Sequence, residues 1–151
     1  MEEVVKKIHE ESSDAVYADL QYVDSEKPDK IVRNWRSGKY KKGDFLYGWM
    51  PPHPTFFVKR DIYRNFGDFS IELKSAADYE LMLRLIHKHH IHLSYLDRVI
   101  VKMRVGGMSN SSLKNRINAN KEDRKAWRMN QLKPKFYTLW LKPLRKIFQY
   151  L

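Results

Sequence analysis

The clearest candidate for proton transfer in this sequence is Asp78, a carboxylate at the start of a predicted helix. It follows Ser75-Ala76-Ala77, and the apolar positions 77, 81, 82, 85 and 86 recur with helical spacing. A general base must be ionised and rigidly held, and the first turn of a helix provides both because its dipole favours negative charge. The same Ser-x-x-Asp spacing is that of a capping box, in which Asp78 would only satisfy the helix end. Spacing alone leaves both interpretations open.

A proline-rich loop upstream of this helix carries two further candidates, Trp49 and His53. It reads Trp49-Met50-Pro51-Pro52-His53-Pro54, followed by the short aromatic run Thr55-Phe56-Phe57. Prolines restrict the backbone, and an imidazole can donate a hydrogen bond to a hydroxyl or accept one from it. The loop therefore suits the lip of a binding cleft. The alternatives are a His53 that hydrogen-bonds a neighbouring carbonyl and a Trp49 that belongs to the core.

The order of these motifs, from Trp49 to Arg84, resembles the C-terminal, acceptor-side half of bacterial inverting family 2 glycosyltransferases, which have the GT-A fold. The resemblance covers roughly residues 15 to 130. It implies transfer of a sugar from a nucleoside diphosphate donor to a hydroxyl of a sugar or lipid-linked acceptor, in cell-surface polysaccharide or glycolipid synthesis. Asp78 matches the position of the catalytic base, although Ala77 stands where many members have Glu. In the resembled enzymes the loop of Trp49 and His53 borders the acceptor site, which implies that both residues are candidate acceptor contacts.

The nucleotide-binding features of that family are missing from this sequence. There is no Gly-rich phosphate loop and no Asp-x-Asp pair near the start. The resemblance implies a divalent metal ion, Mn²⁺ or Mg²⁺, held by an acidic motif upstream, so we expect no cofactor in this chain and no activity from it alone. Many members have a His after the strand that ends at Arg104, where this chain has glycines, which leaves Arg104 as a weak candidate for phosphate contact.

Four histidines, His87, His89, His90 and His92, have the composition of a metal site but not its pattern. They straddle a predicted helix end and strand start, and metal ligands need convergent directions and usually a carboxylate or thiolate partner. We therefore predict no metal site among them.

Composition bounds the remaining possibilities. A chain of 151 residues with 42% hydrophobic residues suits one globular domain, and the lack of cysteine excludes disulfides. There is no apolar run long enough to span a membrane. We expect a cytoplasmic protein, peripheral at the inner membrane face.

The net charge of +11 is concentrated at the C-terminus. Residues 111–151 contain eleven Lys and Arg against two carboxylates, a net +9, so we divide the chain into an acceptor-binding half (1–110) and a basic helical tail (111–151). The tail, with its mixed apolar and basic residues, either packs on the domain or lies on an anionic membrane surface. In the second case removal of residues 133–151 would leave the fold intact. Nucleic acid is not favoured. The competing function is a non-enzymatic basic module that binds such a surface or a partner protein.

The elements that must position Asp78 follow from periodicity and turn residues. Strands are expected at 15–23, 30–36, 55–58 and 93–104, the last interrupted at 96–98, and helices at 2–11, 42–47, 59–66, 75–89 and from Ser111 or Ser112 to 130, before a terminal segment at 136–151. This order predicts an α/β fold, an incomplete GT-A-like half domain with a short mixed sheet, flanking helices and a helical tail. Its open sheet edge predicts self-association.

Overall fold

The structure, a computed structural model, describes residues 1–105, 113–147 and 149. It is mixed α/β, with helices flanking a four-stranded mixed sheet. The α-helices of the described residues are α1 (Glu2–Glu10), α2 (Arg60–Phe66), α3 (Ala77–Met82), α4 (Leu113–Met129) and α5 (Thr138–Ile147). Short 3₁₀ turns span Asp44–Tyr47 and His53–Thr55, and a π-helical segment, Leu83–Lys88, continues α3.

The sheet is built around its central strand, β1 (Ala15–Val23). Strand β4 (Leu93–Arg104) runs parallel to β1 along its whole length. Strands β2 (Ile31–Trp35) and β3 (Phe57–Val58) are antiparallel to β1, β3 pairing with its first two residues and β2 with its last four. Since a strand has two edges, β2 and β3 share the edge opposite β4. The outer edge of β4 pairs with no strand in the described part of the chain.

The boundaries predicted for β1 are confirmed, and side chains on both of its faces are buried. All residues from Ala15 to Leu20 are buried, on both faces of the strand. Helix α1 contacts β1 and β4, while Tyr17 belongs to the aromatic core. A strand covered on both faces belongs to the interior of a layered α/β fold rather than to a half-exposed hairpin.

The interruption predicted at 96–98 is a bulge within one continuous strand. In the parallel register Ala18 pairs with Leu96 and Asp19 pairs with Val99, so Asp97 and Arg98 have no partner on β1. The extra residues bend the ladder locally. They place the side chain of Asp97 within hydrogen-bond distance of Tyr95, 3.1 Å from its hydroxyl.

One helix prediction and one strand prediction need correction at their ends. The helix predicted at 75–89 begins at Ala77, because Ser75 does not act as its N-cap, and its second half is π-helical. The strand predicted at 55–58 is only Phe57–Val58, because the preceding residues form a 3₁₀ turn in which the Thr55 hydroxyl donates to the Ala18 carbonyl (2.8 Å). Helix α2 ends at Gly67 as predicted, with φ at +87°. The predicted turn at Gly106-Gly107 and the caps at Ser111 or Ser112 lie outside the described residues.

The basic tail shares the core of the rest of the chain. Trp127 and Ala126 on α4 are fully buried and Leu139 on α5 is 3% exposed, all in one cluster with Phe45 and Tyr79. The indole N–H of Trp127 donates to the Tyr79 hydroxyl (2.9 Å). The packing interpretation of the tail therefore holds for one of its faces. No helix among the described residues is long and apolar enough to cross a membrane.

Candidate functional site

The start of α3, where Asp78 lies, is capped from another helix. The carboxylate of Glu122, on α4, accepts hydrogen bonds from the backbone N–H groups of Lys74 (3.3 Å), Ser75 (2.6 Å) and Ala76 (3.0 Å), and from the Ser75 hydroxyl (2.8 Å). The Ala76 N–H is one of the donors that a helix N-terminus leaves unsatisfied, and the Lys74 and Ser75 groups directly precede it. Partial burial alone would raise the pKa of Glu122, but the hydrogen bonds from Ser75, Lys74 and Ala76 outweigh it and hold that pKa below its ordinary value of 4.5.

The capping box predicted from Ser75 and Asp78 does not form. The Ser75 hydroxyl is bonded to Glu122, and α3 has no side-chain cap of its own. The Asp78 carboxylate accepts one hydrogen bond, from the N–H of Tyr79 to its Oδ1 (2.8 Å), and among the described residues its Oδ2 has no hydrogen-bond donor. Asp78 is half-buried. Its carboxylate is therefore held on the first turn of a helix, where Oδ1 satisfies the N–H of Tyr79 and Oδ2 is left for another donor.

A second carboxylate, Asp123, lies close enough to Asp78 for the two charges to interact. Asp123 is 7% exposed, and both of its oxygens accept from the Lys142 ammonium group on α5 (2.8 and 2.7 Å). That ammonium group also lies 3.5 Å above the centre of the Tyr79 ring. Burial raises the pKa of Asp123 above its ordinary value of 3.8, Lys142 opposes this rise, and the charge of Asp78 adds to it. We call Asp78, Asp123 and Lys142 the carboxylate–lysine cluster.

The orientation of α3 is fixed by a buried ion pair. Arg84 contacts Glu80 through two nitrogens (2.9 and 3.1 Å), and its remaining donors reach the backbone carbonyls of Phe66, Gly67 and Asp68 in the loop after α2. Asn130, at the end of α4, donates to Glu80 as well (2.9 Å). With every partner satisfied, this network holds the helix of Asp78 against two neighbouring segments.

Trp49 lies in the core and also borders a groove. It is 5% exposed, its indole N–H donates to the Ser37 carbonyl (2.9 Å), and its ring meets Tyr17 and Phe45 edge-on, 5.6 Å between centroids in each case. The only polar atom of Trp49 is thus already used inside the protein. What remains for a ligand is the small part of the ring that faces the groove.

This groove has a volume of about 660 Å³ and lies between β2, the loop of Trp49 and helix α5. Its lining includes Trp35, Arg36, Trp49, Lys142, Arg145 and Lys146, and no carboxylate. Lys142 belongs both to this lining and to the carboxylate–lysine cluster, so the groove adjoins the region of Asp78.

His53 is exposed and lies outside this groove. Its ring meets Phe69 edge-on at 5.7 Å, and Phe69 stacks with Tyr63 at 6.5 Å. Pro51 and Pro52 are buried beneath the loop. His53 therefore belongs to a partly exposed aromatic surface that could cover one face of a sugar ring.

Arg104 lies at the other end of the sheet from the candidate acceptor residues. It is exposed and pairs with Val23 of β1. The loop of His53 contacts β1 at Ala18, through the Thr55 hydroxyl, and Ala18 lies five positions before Val23. Five residues of strand correspond to roughly 16 Å. Arg104 is not brought together with Asp78 or His53 in the described part of the structure, and the glycine-containing segment after it is not described.

The four clustered histidines have different environments. His87 is half-buried between the rings of Phe45 (5.9 Å) and Trp127 (5.4 Å), and burial lowers its pKa. His89 stacks on Phe66 at 4.3 Å. Within residues 1–105, 113–147 and 149, no three His, Asp or Glu side chains converge as metal ligands do. Both oxygens of Asp123, a carboxylate on which the charge of Asp78 acts, are engaged by Lys142, so this pair does not fit a divalent metal.

Several residues that shape the site escaped sequence reasoning. Glu122, Asp123 and Lys142 were counted only as charges of the tail. A signal was present, since Glu122 and Asp123 are the only carboxylates among the eleven cations of residues 111–151.

Asp19 was also missed. It is 5% exposed and accepts from the Tyr95 hydroxyl (2.8 Å) and the Ser37 N–H (2.8 Å), which joins β1 to β4 and to the loop after β2.

Comparison with known proteins adds no assignment. No protein-family model matches the sequence, and a search of curated proteins finds no match.

Proposed function

We propose that this chain is the acceptor-side half of an inverting glycosyltransferase of family 2, with Asp78 as the general base. The observation that carries the proposal is that Glu122 bonds the residues at the start of α3, so Asp78 lies on a rigid first turn where only its Oδ1 is bonded, by the Tyr79 N–H, and its Oδ2 has no donor among the described residues. The motif order from Trp49 to Arg84 supports the assignment to this family.

The chemistry assigned to Asp78 is a single proton transfer. The hydroxyl oxygen of the acceptor attacks the anomeric carbon of the donor sugar, the bond from that carbon to the nucleoside diphosphate breaks, and Asp78 accepts the hydroxyl proton. The half-buried position of Asp78 keeps water partly away from its carboxylate. The aromatic surface formed by His53, Tyr63 and Phe69 offers an apolar face for the acceptor sugar.

The described residues do not fit the divalent metal that the family uses with its donor, because Asp123 is held by Lys142. The proton transfer proposed for Asp78 involves only its carboxylate and the acceptor hydroxyl. Binding of the donor is assigned to a separate nucleotide-binding half.

The test uses the longest reading frame that contains this chain, expressed as one protein and supplied with uridine and guanosine diphosphate sugars. Asp78→Asn keeps the shape of the side chain but accepts no proton, so transfer is expected to fall by about 10²–10⁴-fold. The free energy of unfolding is expected to change by less than about 0.5 kcal/mol. Asp61→Asn is the matched control, since Asp61 is 77% exposed and pairs only with Arg64 on its own helix.

Near-parental transfer by Asp78→Asn would refute the role of Asp78. The alternative, a non-enzymatic basic module, predicts that neither the parent protein nor the variant transfers sugar from any donor. An in-frame stop codon directly before Met1 would likewise contradict the half-enzyme proposal.

A further inference from the structure

A stripe of large apolar side chains on the tail faces away from the rest of the protein. Its members are Phe136 in the turn before α5, and Trp140, Leu144 and Ile147 on α5, with exposed fractions of 90%, 68%, 49% and 57%. Their spacing of four, four and three residues places them on one side of a helix. The opposite side of α5 holds the buried Thr138 and Leu139. We call these four residues the apolar stripe.

This stripe has no counterpart elsewhere on α5, because the inner side of the helix is committed to the fold. Leu139 is 3% exposed, the Thr138 hydroxyl donates to the Leu46 carbonyl (2.6 Å), and Lys142 is paired with Asp123. The stripe is thus not a core face left open by poor packing. Four such residues in a row form a contiguous exposed apolar patch, which in soluble proteins marks an interaction surface.

The charge around the stripe is almost purely positive. The only carboxylates of residues 113–147 are Glu122 and Asp123, and both are turned inward, one onto the start of α3 and the other onto Lys142. Within the described residues, five exposed cations of this segment take part in no ion pair. They are Lys121, Arg124, Arg128, Lys133 and Arg145. On α4, Lys125 pairs with Glu72 (3.1 Å), whereas the five cations named above have no carboxylate within ion-pair distance among the described residues.

We propose that the apolar stripe docks this protein on the surface of an anionic lipid bilayer, with α5 lying in the plane of the interface. Phe, Trp, Leu and Ile on one side of a helix with Lys and Arg around it are the residues that such interfacial helices use. Long Lys and Arg side chains can keep their charges at the headgroups while the apolar side enters the acyl boundary. This proposal is independent of the proposed sugar transfer.

The composition of the surface favours lipid over other occupants. The centre of a protein–protein interface is usually depleted of lysine, whereas here Lys133 and Lys135 directly precede Phe136. Single-stranded nucleic acid is bound by stacking on aromatic rings, and Leu144 and Ile147 offer no ring. An anionic bilayer uses both the aliphatic side chains and the unopposed cations.

The test measures co-sedimentation of the full chain with vesicles of phosphatidylcholine alone and of phosphatidylcholine with phosphatidylglycerol. We expect binding to the anionic vesicles only, falling as salt rises. The double substitution Trp140→Ser and Leu144→Ser is expected to weaken it by roughly tenfold or more, since it removes two apolar side chains from the acyl boundary. Ile71→Ser is the matched control, because Ile71 is 99% exposed in the loop before α3, outside the apolar stripe, and its loss should leave binding unchanged.

A second pair of variants tests the charges. Lys133→Gln with Lys135→Gln is expected to weaken binding to anionic vesicles, whereas Lys39→Gln with Lys41→Gln, which removes two exposed lysines elsewhere, is not. Circular dichroism of each variant checks that the fold is retained, as expected for exposed positions. Equal binding to neutral vesicles, or unchanged binding by the Trp140 and Leu144 variant, would overturn the proposal. So would a dimer, or a complex with an oligonucleotide, that depends on Trp140 while vesicles are not bound.

Discussion

The cap that α4 places on α3 can be tested by replacing Glu122. Glu122→Ala removes the acceptor of four hydrogen bonds and the negative charge at the start of α3. Loss of an N-terminal cap typically costs about 1 kcal/mol, and loss of the charge–dipole interaction about 0.3–1 kcal/mol. Because Glu122 is only half-buried and water can replace part of its bonds, we expect a total near 2 kcal/mol. For a chain of this length that corresponds to a fall in Tm of roughly 4–8 °C.

The pH dependence of this effect has a definite sign. The pKa of Glu122 is lowered in the folded protein, so its contribution to stability is present above the unfolded pKa, near 4.5, and is lost as pH falls through the folded pKa. The difference in stability between the parent protein and Glu122→Gln should therefore be largest near neutral pH and should shrink below about pH 4.

The assay is thermal unfolding followed by circular dichroism at several pH values. Glu26→Ala is the control, since Glu26 is an exposed carboxylate in a turn and its side chain caps no helix. The reasoning fails if Glu122→Ala is no less stable than this control. It also fails if Asp78→Asn is the destabilised variant, because Asp78 would then be the cap, and its assignment as a free base would fall with it.

Three further outcomes are expected. Lys142→Met leaves Asp123 unpaired where it is 7% exposed and should cost about 3 kcal/mol at neutral pH by chemical denaturation. Because the pKa of Asp123 is raised, the loss should diminish toward low pH, and adding Asp123→Leu should restore most of it. Gly48→Ala places a Cβ 2.8 Å from the backbone carbon of Leu141 at φ +74° and should lower Tm clearly more than Gly38→Ala, which has φ +65° and open space around it. Calorimetric titration of the isolated chain with nucleoside diphosphate sugars and Mn²⁺ should show no saturable micromolar binding, and sedimentation should show self-association; tight binding by a monomer would refute the half-enzyme proposal.

Local signals predicted the elements that are governed by local physics. The alternation at 15–23, the turn residues after it and the glycine after Phe66 define β1, its hairpin partner β2 and the end of α2 within a residue or two. Each of these signals is contained in a few adjacent residues, so no knowledge of the rest of the chain is needed.

The errors arise where a distant residue replaces a local one. Ser75 and Asp78 have the spacing of a capping box, but Glu122 lies 47 positions after Ser75 and takes its hydrogen bonds. The alternation at 15–23 predicted a strand, but it does not indicate that α1 and the aromatic core cover both of its faces. Periodicity reports what one segment prefers, and it does not report which other segment will reach the same groups.

The same distinction explains why the tail was difficult to interpret. Its charge suggested a segment separate from the domain, and the two interpretations, packing and membrane binding, were treated as exclusive. In the structure they apply to opposite sides of α5, with Leu139 and Lys142 turned to the body and Trp140 and Leu144 turned outward. Deletion of residues 133–151 would therefore remove core contacts together with the stripe, and it would not leave the fold intact as expected from sequence.

This arrangement also links the tail to Asp78. Glu122 bonds the start of the Asp78 helix, the charge of Asp78 acts on Asp123, and Lys142 of α5 pairs with Asp123. A docked α5 would thus be connected to the region of the proposed base through the ion pair between Lys142 and Asp123. Since Lys142 faces inward and the stripe faces outward, substitutions at Trp140 and Leu144 can change membrane binding without touching that ion pair. A loss of sugar transfer in the Trp140 and Leu144 variant that is seen with a lipid-linked acceptor but not with a water-soluble one would then identify docking as the step that delivers the acceptor to Asp78.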